Sequence, residues 1–296
     1  MREGSTFATY HPGVNFLFFA LAIGITMFSM DPVFLVVTVV FSWSWSILLT
    51  GKKAVKNNLM LTIPVVIVMV VINGLFTHNG ATVLFFLNGN RITMEAMLFG
   101  LAGAVMLMSV IVWFTCFNAV MTSDKFIYLF GKVAPVLGLT LSMIFRFIPL
   151  LKSRYQEISM GQQCMGRHTE KGLINRVRQL GKEISILISW SLEASIETSD
   201  SMEARGYGLK GRTSFHLFQF TARDKWLTAF LLVVGGVAAL GCALGKTTIY
   251  FYPKIQMRDW DVFKVVTLIC YMVLLAVPIY IDRMGEKKWQ AYKSEI

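Results

Sequence analysis

Six apolar runs near bilayer-spanning length dominate this 296-residue chain, at about 14–30, 33–50, 59–77, 94–121, 226–245 and 262–281. A helix needs about 20 such residues to cross the hydrocarbon core. Asp31-Pro32 divides the first long run into a tight hairpin, because proline disfavours helix at the residue before it and lacks an N–H for the next turn. A seventh stretch, 133–151, carries Arg146 and two prolines and is expected to enter the membrane only in part. With 55% hydrophobic and only 15% charged residues, the chain departs from a water-soluble globule, which runs near a quarter charged, and it is too apolar to stay disordered. The expected fold is all-α: a polytopic membrane protein with about five to six transmembrane helices and long cytoplasmic helices.

Basic residues set the expected orientation. The formal charge of +11 comes from 28 Lys and Arg against 17 Asp and Glu. In a membrane protein this excess marks cytoplasmic loops facing anionic lipid, not a nucleic-acid surface. With the N-terminus inside, the inner segments hold Lys52, Lys53, Lys56, the twelve Lys and Arg of 151–225, and Arg283, Lys287, Lys288 and Lys293. The outer segments hold only Arg91, Lys246, Lys254 and Arg258. Both termini are therefore expected in the cytoplasm. No short apolar core closed by a cleavage site opens the chain, so its first apolar run is expected to be a span and not a removed signal. Three regions follow: N-terminal transmembrane helices (1–121), a cytoplasmic or interfacial helical region (122–225), and C-terminal transmembrane helices with a cytoplasmic tail (226–296).

The middle region is not a linker, since Gly, Pro and Ser do not dominate it. Within it 182–205 lacks Pro and Gly, and Ile184, Leu187, Ile188, Leu192, Ile196 and Met202 fall near helical spacing. One long amphipathic helix is expected there, ending at Gly206-Tyr207-Gly208 where glycine supplies a left-handed cap. Ser191, Ser195 and Ser199 would let a neighbouring helix approach closely. A second helix is expected over 136–163, ending near Gly166.

Catalytic chemistry is hard to place in these residues. The four cysteines form no CxxC pair, and His11, His78, His168 and His216 are too dispersed for a metal-ligand set, so no metal is expected. Gly241–Thr247 imitates a phosphate loop with one residue too few between its glycines. Asp259 and Asp261 lack an accompanying acidic motif, and few ionisable residues fall within spans, which disfavours a self-sufficient carrier.

Two sites in the middle region share a pattern: Gly166-Arg167-His168 and Ala204-Arg205-Gly206. Each places a guanidinium near a helix C-terminus, where the dipole favours a cation and small neighbours leave the fork free for bidentate bonds. On these residues alone, two ordinary C-terminal charges beside capping glycines remain the plainer explanation.

The segment 122–168, TSDKFIYLFGKVAPVLGLTLSMIFRFIPLLKSRYQEISMGQQCMGRH, and 191–208, SLEASIETSDSMEARGYG, resemble the signature region of the transmembrane (T) component of energy-coupling factor transporters, the EcfT/CbiQ-like family. His11-Pro12 ahead of the first span is also similar to that family's N-terminus. The resemblance implies a cell-membrane scaffold without enzymatic activity, which joins a substrate-binding membrane protein (the S component) to two ABC-class ATPase subunits for vitamin or metal-ion uptake. It binds no cofactor itself, and ATP is used by the partners. By the same resemblance Arg167 and Arg205, flanked by Gly166, His168, Ala204 and Gly206, dock in the ATPases, with His168 standing where Ser or Gly is common. Ile144, Phe147, Ile148, Leu187, Ile188 and Leu192 would pack between the coupling helices or against the S component. A membrane carrier acting alone, or less readily a polytopic membrane transferase, is the alternative.

Overall fold

The computed structural model describes residues 5–77, 80–87, 90–166, 172–209, 218–252, 256 and 260–294. They form α1 (Pro12–Phe28), α2 (Pro32–Thr50), α3 (Lys52–Phe76), β1 (Val83–Leu87), β2 (Asn90–Thr93), α4 (Met94–Val120), α5 (Ser123–Val133), α6 (Pro135–Cys164), α7 (Leu173–Ala204), α8 (Ala222–Ala243) and α9 (Val262–Ser294). Two compact units divide the chain, one made of Met1–Thr122 with Phe218–Ile296, the other of Ser123–Leu217.

Local chemistry sets the helix boundaries of the first unit. His11-Pro12 and Asp31-Pro32 use one device: proline at the first helical position, preceded by a side chain that accepts an otherwise orphaned N–H. His11 Nδ1 accepts from Gly13 at 3.1 Å, and Asp31 Oδ1 from Val33 at 3.0 Å. Gly51, with φ of 71°, ends α2 where a side chain would be strained.

Six of these helices are long and apolar enough to cross a membrane: those within 32–50, 53–76, 94–120, 136–164, 222–243 and 262–294. The chain is thus a nearly all-α, multi-pass membrane protein. The partly entering stretch 133–151 lies inside a continuous 30-residue helix, α6, whereas the first apolar run forms only the 17-residue α1. The antiparallel hairpin β1–β2, pairing Phe86 with Arg91 and Leu87 with Asn90, has no counterpart in the expected architecture.

The core of the first unit is aromatic. Phe7, Phe18, Phe19, Trp45 and Trp113 are fully buried. Phe18 meets Trp45 edge-on at 5.9 Å, while Phe19 stacks on it at 5.5 Å. Polar groups buried beside these rings are paired, as apolar surroundings require. Trp113 Nε1 donates to Thr38 Oγ1 at 3.2 Å, and the Thr26 and Tyr271 hydroxyls share a bond of 2.7 Å. Glycine lets the helices close in: a Cβ on Gly241 of α8 would strike the Thr267 side chain of α9.

Charges in this unit are buried only in company. Lys264 of α9 reaches Asp31 at 2.6 Å. Asp282, about two-thirds of the way along α9, accepts from Ser5 Oγ, the Phe7 N–H and Trp45 Nε1 at 2.7, 2.8 and 2.9 Å. That carboxylate holds the 3-10 turn Phe7–Thr9 against the bundle.

Candidate functional site: the ends of the long helical pair

The second unit contains α5, α6 and α7. A Cβ on Gly138 of α6 would collide with the Gly131 Cα of α5, so this crossing depends on two glycines. The two long helices run antiparallel. Tyr155 of α6 hydrogen-bonds the Glu183 carboxylate early in α7, and the Arg154 guanidinium lies 5.0 Å over the Trp190 ring. Earlier in α6, Leu139, Thr140, Met143 and Phe147 share a groove of about 410 Å³ with Ser195, Thr198, Met202, Glu203 and Tyr207 late in α7.

This arrangement separates Gly166 from Arg205. Gly166 follows α6 at one end of the pair, and Arg205 closes α7 at the other. At 1.5 Å per residue, the 32 residues of α7 put roughly 48 Å between its ends.

The end of α7 is a complete Schellman motif. Tyr207 N–H donates to Met202 C=O at 3.0 Å and Gly206 N–H to Glu203 C=O at 2.9 Å, with Gly206 at φ of 73°. Arg205 is the C-cap residue, so the last turn aims its backbone while its side chain stands exposed. Among the described residues its guanidinium has no ion-pair partner. Ala204 is exposed and Gly206 half-buried. At the end of α6, Met165 is the C-cap and Gly166 takes the left-handed position, with φ of 74° and its N–H on Gln163 C=O at 2.9 Å. The two motifs therefore differ in register: Arg205 precedes its left-handed glycine, whereas Arg167 follows Gly166. Arg167 and His168 lie outside the described residues.

The residues expected to pack between the long helices or against an S component divide into two groups. Phe147 and Leu187 are half-buried, and Phe147 lines the groove. Ile144, Ile148, Ile188 and Leu192 point outward and are exposed. The face of α7 that is covered runs instead through Glu183, Leu187, Trp190, Ser191, Ala194, Thr198 and Met202. Of the expected serine stripe only Ser191 belongs to it, while Ser195 and Ser199 line the groove. Hydrophobic spacing alone missed Trp190, whose ring carries the Arg154 contact.

Among the described residues no group of three His, Cys, Asp or Glu side chains is placed to hold a metal ion. Six helices long and apolar enough to span a bilayer define a multi-pass membrane protein. The family model described as cobalt transport protein, CbiQ, matches residues 5–216, and the chain belongs to that family.

Curated relatives agree. The energy-coupling factor transporter transmembrane protein EcfT of Lactobacillus helveticus (strain DPC 4571) is 33% identical over 102 residues, which cover 33% of this chain and 37% of the relative. EcfT of Streptococcus thermophilus (strain ATCC BAA-250 / LMG 18311) is 30% identical over 120 residues, or 40% of this chain and 46% of the relative. EcfT of Listeria innocua serovar 6a (strain ATCC BAA-680 / CLIP 11262) is 34% identical over 106 residues, 34% and 39% of the two chains. The chain thus matches less than half the length of each of these relatives.

Proposed function

We propose that this chain is the energy-coupling membrane subunit of an ATP-driven importer for a vitamin or metal ion, and that it catalyses nothing itself. Two ABC-class ATPase subunits dock at the C-terminal ends of α6 and α7, one at Arg167 and the other at Arg205, on the cytoplasmic side of the cell membrane. The observation that carries this reading is Arg205: an exposed, unpaired guanidinium held at the Schellman-capped end of a 32-residue helix. Its fork can bond bidentately to carboxylates or carbonyls of a partner, and the negative end of the helix favours its charge. The separation of roughly 48 Å between the ends of α7 suits two docking sites on two subunits better than one composite site.

Energy transfer then follows from stiffness. When the ATPases close, each pulls on a helix end. The antiparallel pair carries that displacement to the outward apolar residues Ile144, Ile148, Ile188 and Leu192, on which a substrate-binding S component rests. Such a contact can slide, since dispersion between aliphatic side chains has little directionality.

Co-purification tests the reading. The wild-type chain should bring down two ATPase subunits and a small membrane protein. Arg167→Glu with Arg205→Glu should lose the ATPases, because acceptors replace both donor forks. Undiminished recovery of the ATPases by the double variant would refute the docking role.

A further inference from the structure

The first turns of α7 are amphipathic the wrong way round for a helix in water. Their covered face is polar: Asn175 and Gln179 are half-buried and Glu183 is buried, with Gln179 Nε2 donating to Glu183 Oε1 at 3.1 Å. Their outward face is apolar, with Leu173 82% exposed, Ile174 84% and Val177 68%. Leaving four large aliphatic side chains in water, Leu180 included, forgoes burial that any soluble helix would seek.

Charge completes the pattern. Residues 172–182 contain Arg176, Arg178 and Lys182 and no acidic residue, whereas 183–204 contain Glu183, Glu193, Glu197, Asp200 and Glu203 and no basic one. At about 100° per residue, Leu173, Val177 and Leu180 share one sector of the helix. Arg176 flanks that sector on one side and Arg178, just past Ile174, on the other, while Lys182 lies a turn beyond Arg178 and on the side opposite Leu173. Aliphatic stems there can lie along hydrocarbon while the cationic heads reach outward to phosphate.

From this we propose that Leu173–Lys182 is a docking face for anionic phospholipid: Leu173, Ile174, Val177 and Leu180 enter the acyl boundary, Arg176 and Arg178 bind the phosphate headgroups, and Lys182 adds positive charge behind them. The occupant follows from the charge, since each basic residue near an anionic surface strengthens binding about fivefold and the two flanking arginines together roughly thirtyfold. The acidic remainder of α7 is repelled by the same surface, so the contact stops near Glu183. This docking uses other residues than the ATPase contacts and needs no partner, so either reading can fail without the other.

The test uses the purified full chain, with its four native cysteines replaced by serine and Val177→Cys carrying an environment-sensitive fluorophore. It is reconstituted into vesicles of phosphatidylcholine alone or of equimolar phosphatidylcholine and phosphatidylglycerol. The expected result is blue-shifted emission, quenched by brominated acyl chains, in the anionic vesicles only, and its loss in the Arg176→Glu/Arg178→Glu/Lys182→Glu variant. Water-like emission in both vesicles would overturn the proposal, as would an equal blue shift in both or a shift seen only after another protein is added. Hydrogen exchange on the unlabelled wild-type chain provides a second measurement free of cysteine replacement. Amides of 173–182 should exchange more slowly in anionic nanodiscs than in neutral ones, and equal rates would count against lipid docking.

Discussion

The Lys264 ammonium lies 2.6 Å from the Asp31 carboxylate, with only 2% and 3% of the two side chains exposed, so one buried ion pair ties the start of α9 to the start of α2. Asp31 also caps α2 through Val33, and its own N–H donates to Thr247 C=O at 2.9 Å. Removing one partner of a buried pair leaves an uncompensated charge, which typically costs about 3–5 kcal/mol. Lys264→Met is therefore expected to lower the thermal unfolding midpoint in detergent sharply. The double variant Asp31→Asn/Lys264→Met should recover much of that loss, because no net charge stays buried and asparagine still caps the helix. Additive losses from the two single changes would show that the pair is not coupled.

Asp282 should matter in a different way. Its oxygens satisfy Trp45 Nε1, the Phe7 N–H and the Ser5 hydroxyl, so Asp282→Ala strands three donors around a buried core. Each unsatisfied buried donor costs about 1–3 kcal/mol. The expected outcome is early proteolysis of the N-terminal segment at temperatures where the wild type is resistant. Trp45→Phe, which removes one donor and little volume, should be milder.

At the end of α7 the prediction concerns conformation more than charge. Gly206 sits at φ of 73°, where a β-branched residue is strained by about 1–2 kcal/mol while asparagine is tolerated. Gly206→Val should speed hydrogen exchange at Gly206 and Tyr207, whose N–H groups are held by Glu203 and Met202. It should also weaken recovery of the proposed ATPase partners, since the C-cap that aims Arg205 frays. Gly206→Asn should preserve both. Equal recovery by the two variants would mean that the geometry of the cap does not matter to docking.

Much of this protein is legible along the chain because its causes are local. Apolar runs mark the spans wherever they lie, and Pro12, Pro32, Gly51 and Gly206 announce helix ends through the conformations they permit. The helix expected over 136–163 is α6 with a residue added at each end, while α7 begins nine residues before the expected 182, its early turns being polar on the side where spacing looks for apolar residues. The β1–β2 hairpin also had a local signal, the Asn88-Gly89 dipeptide between its strands, which span-length reading passes over.

What the tertiary structure alone decided are the pairings between distant positions and the choice of face. Nothing local joins Asp31 to Lys264 across 233 positions, or Trp45 to Asp282 across 237. Each looks like an isolated polar residue until folding removes water and brings the distant partner within hydrogen-bonding reach. Likewise, periodicity assigns α7 an apolar side but not the direction in which that side turns. That direction depends on what lies outside the protein, because next to hydrocarbon an outward leucine gives up nothing that burial would return.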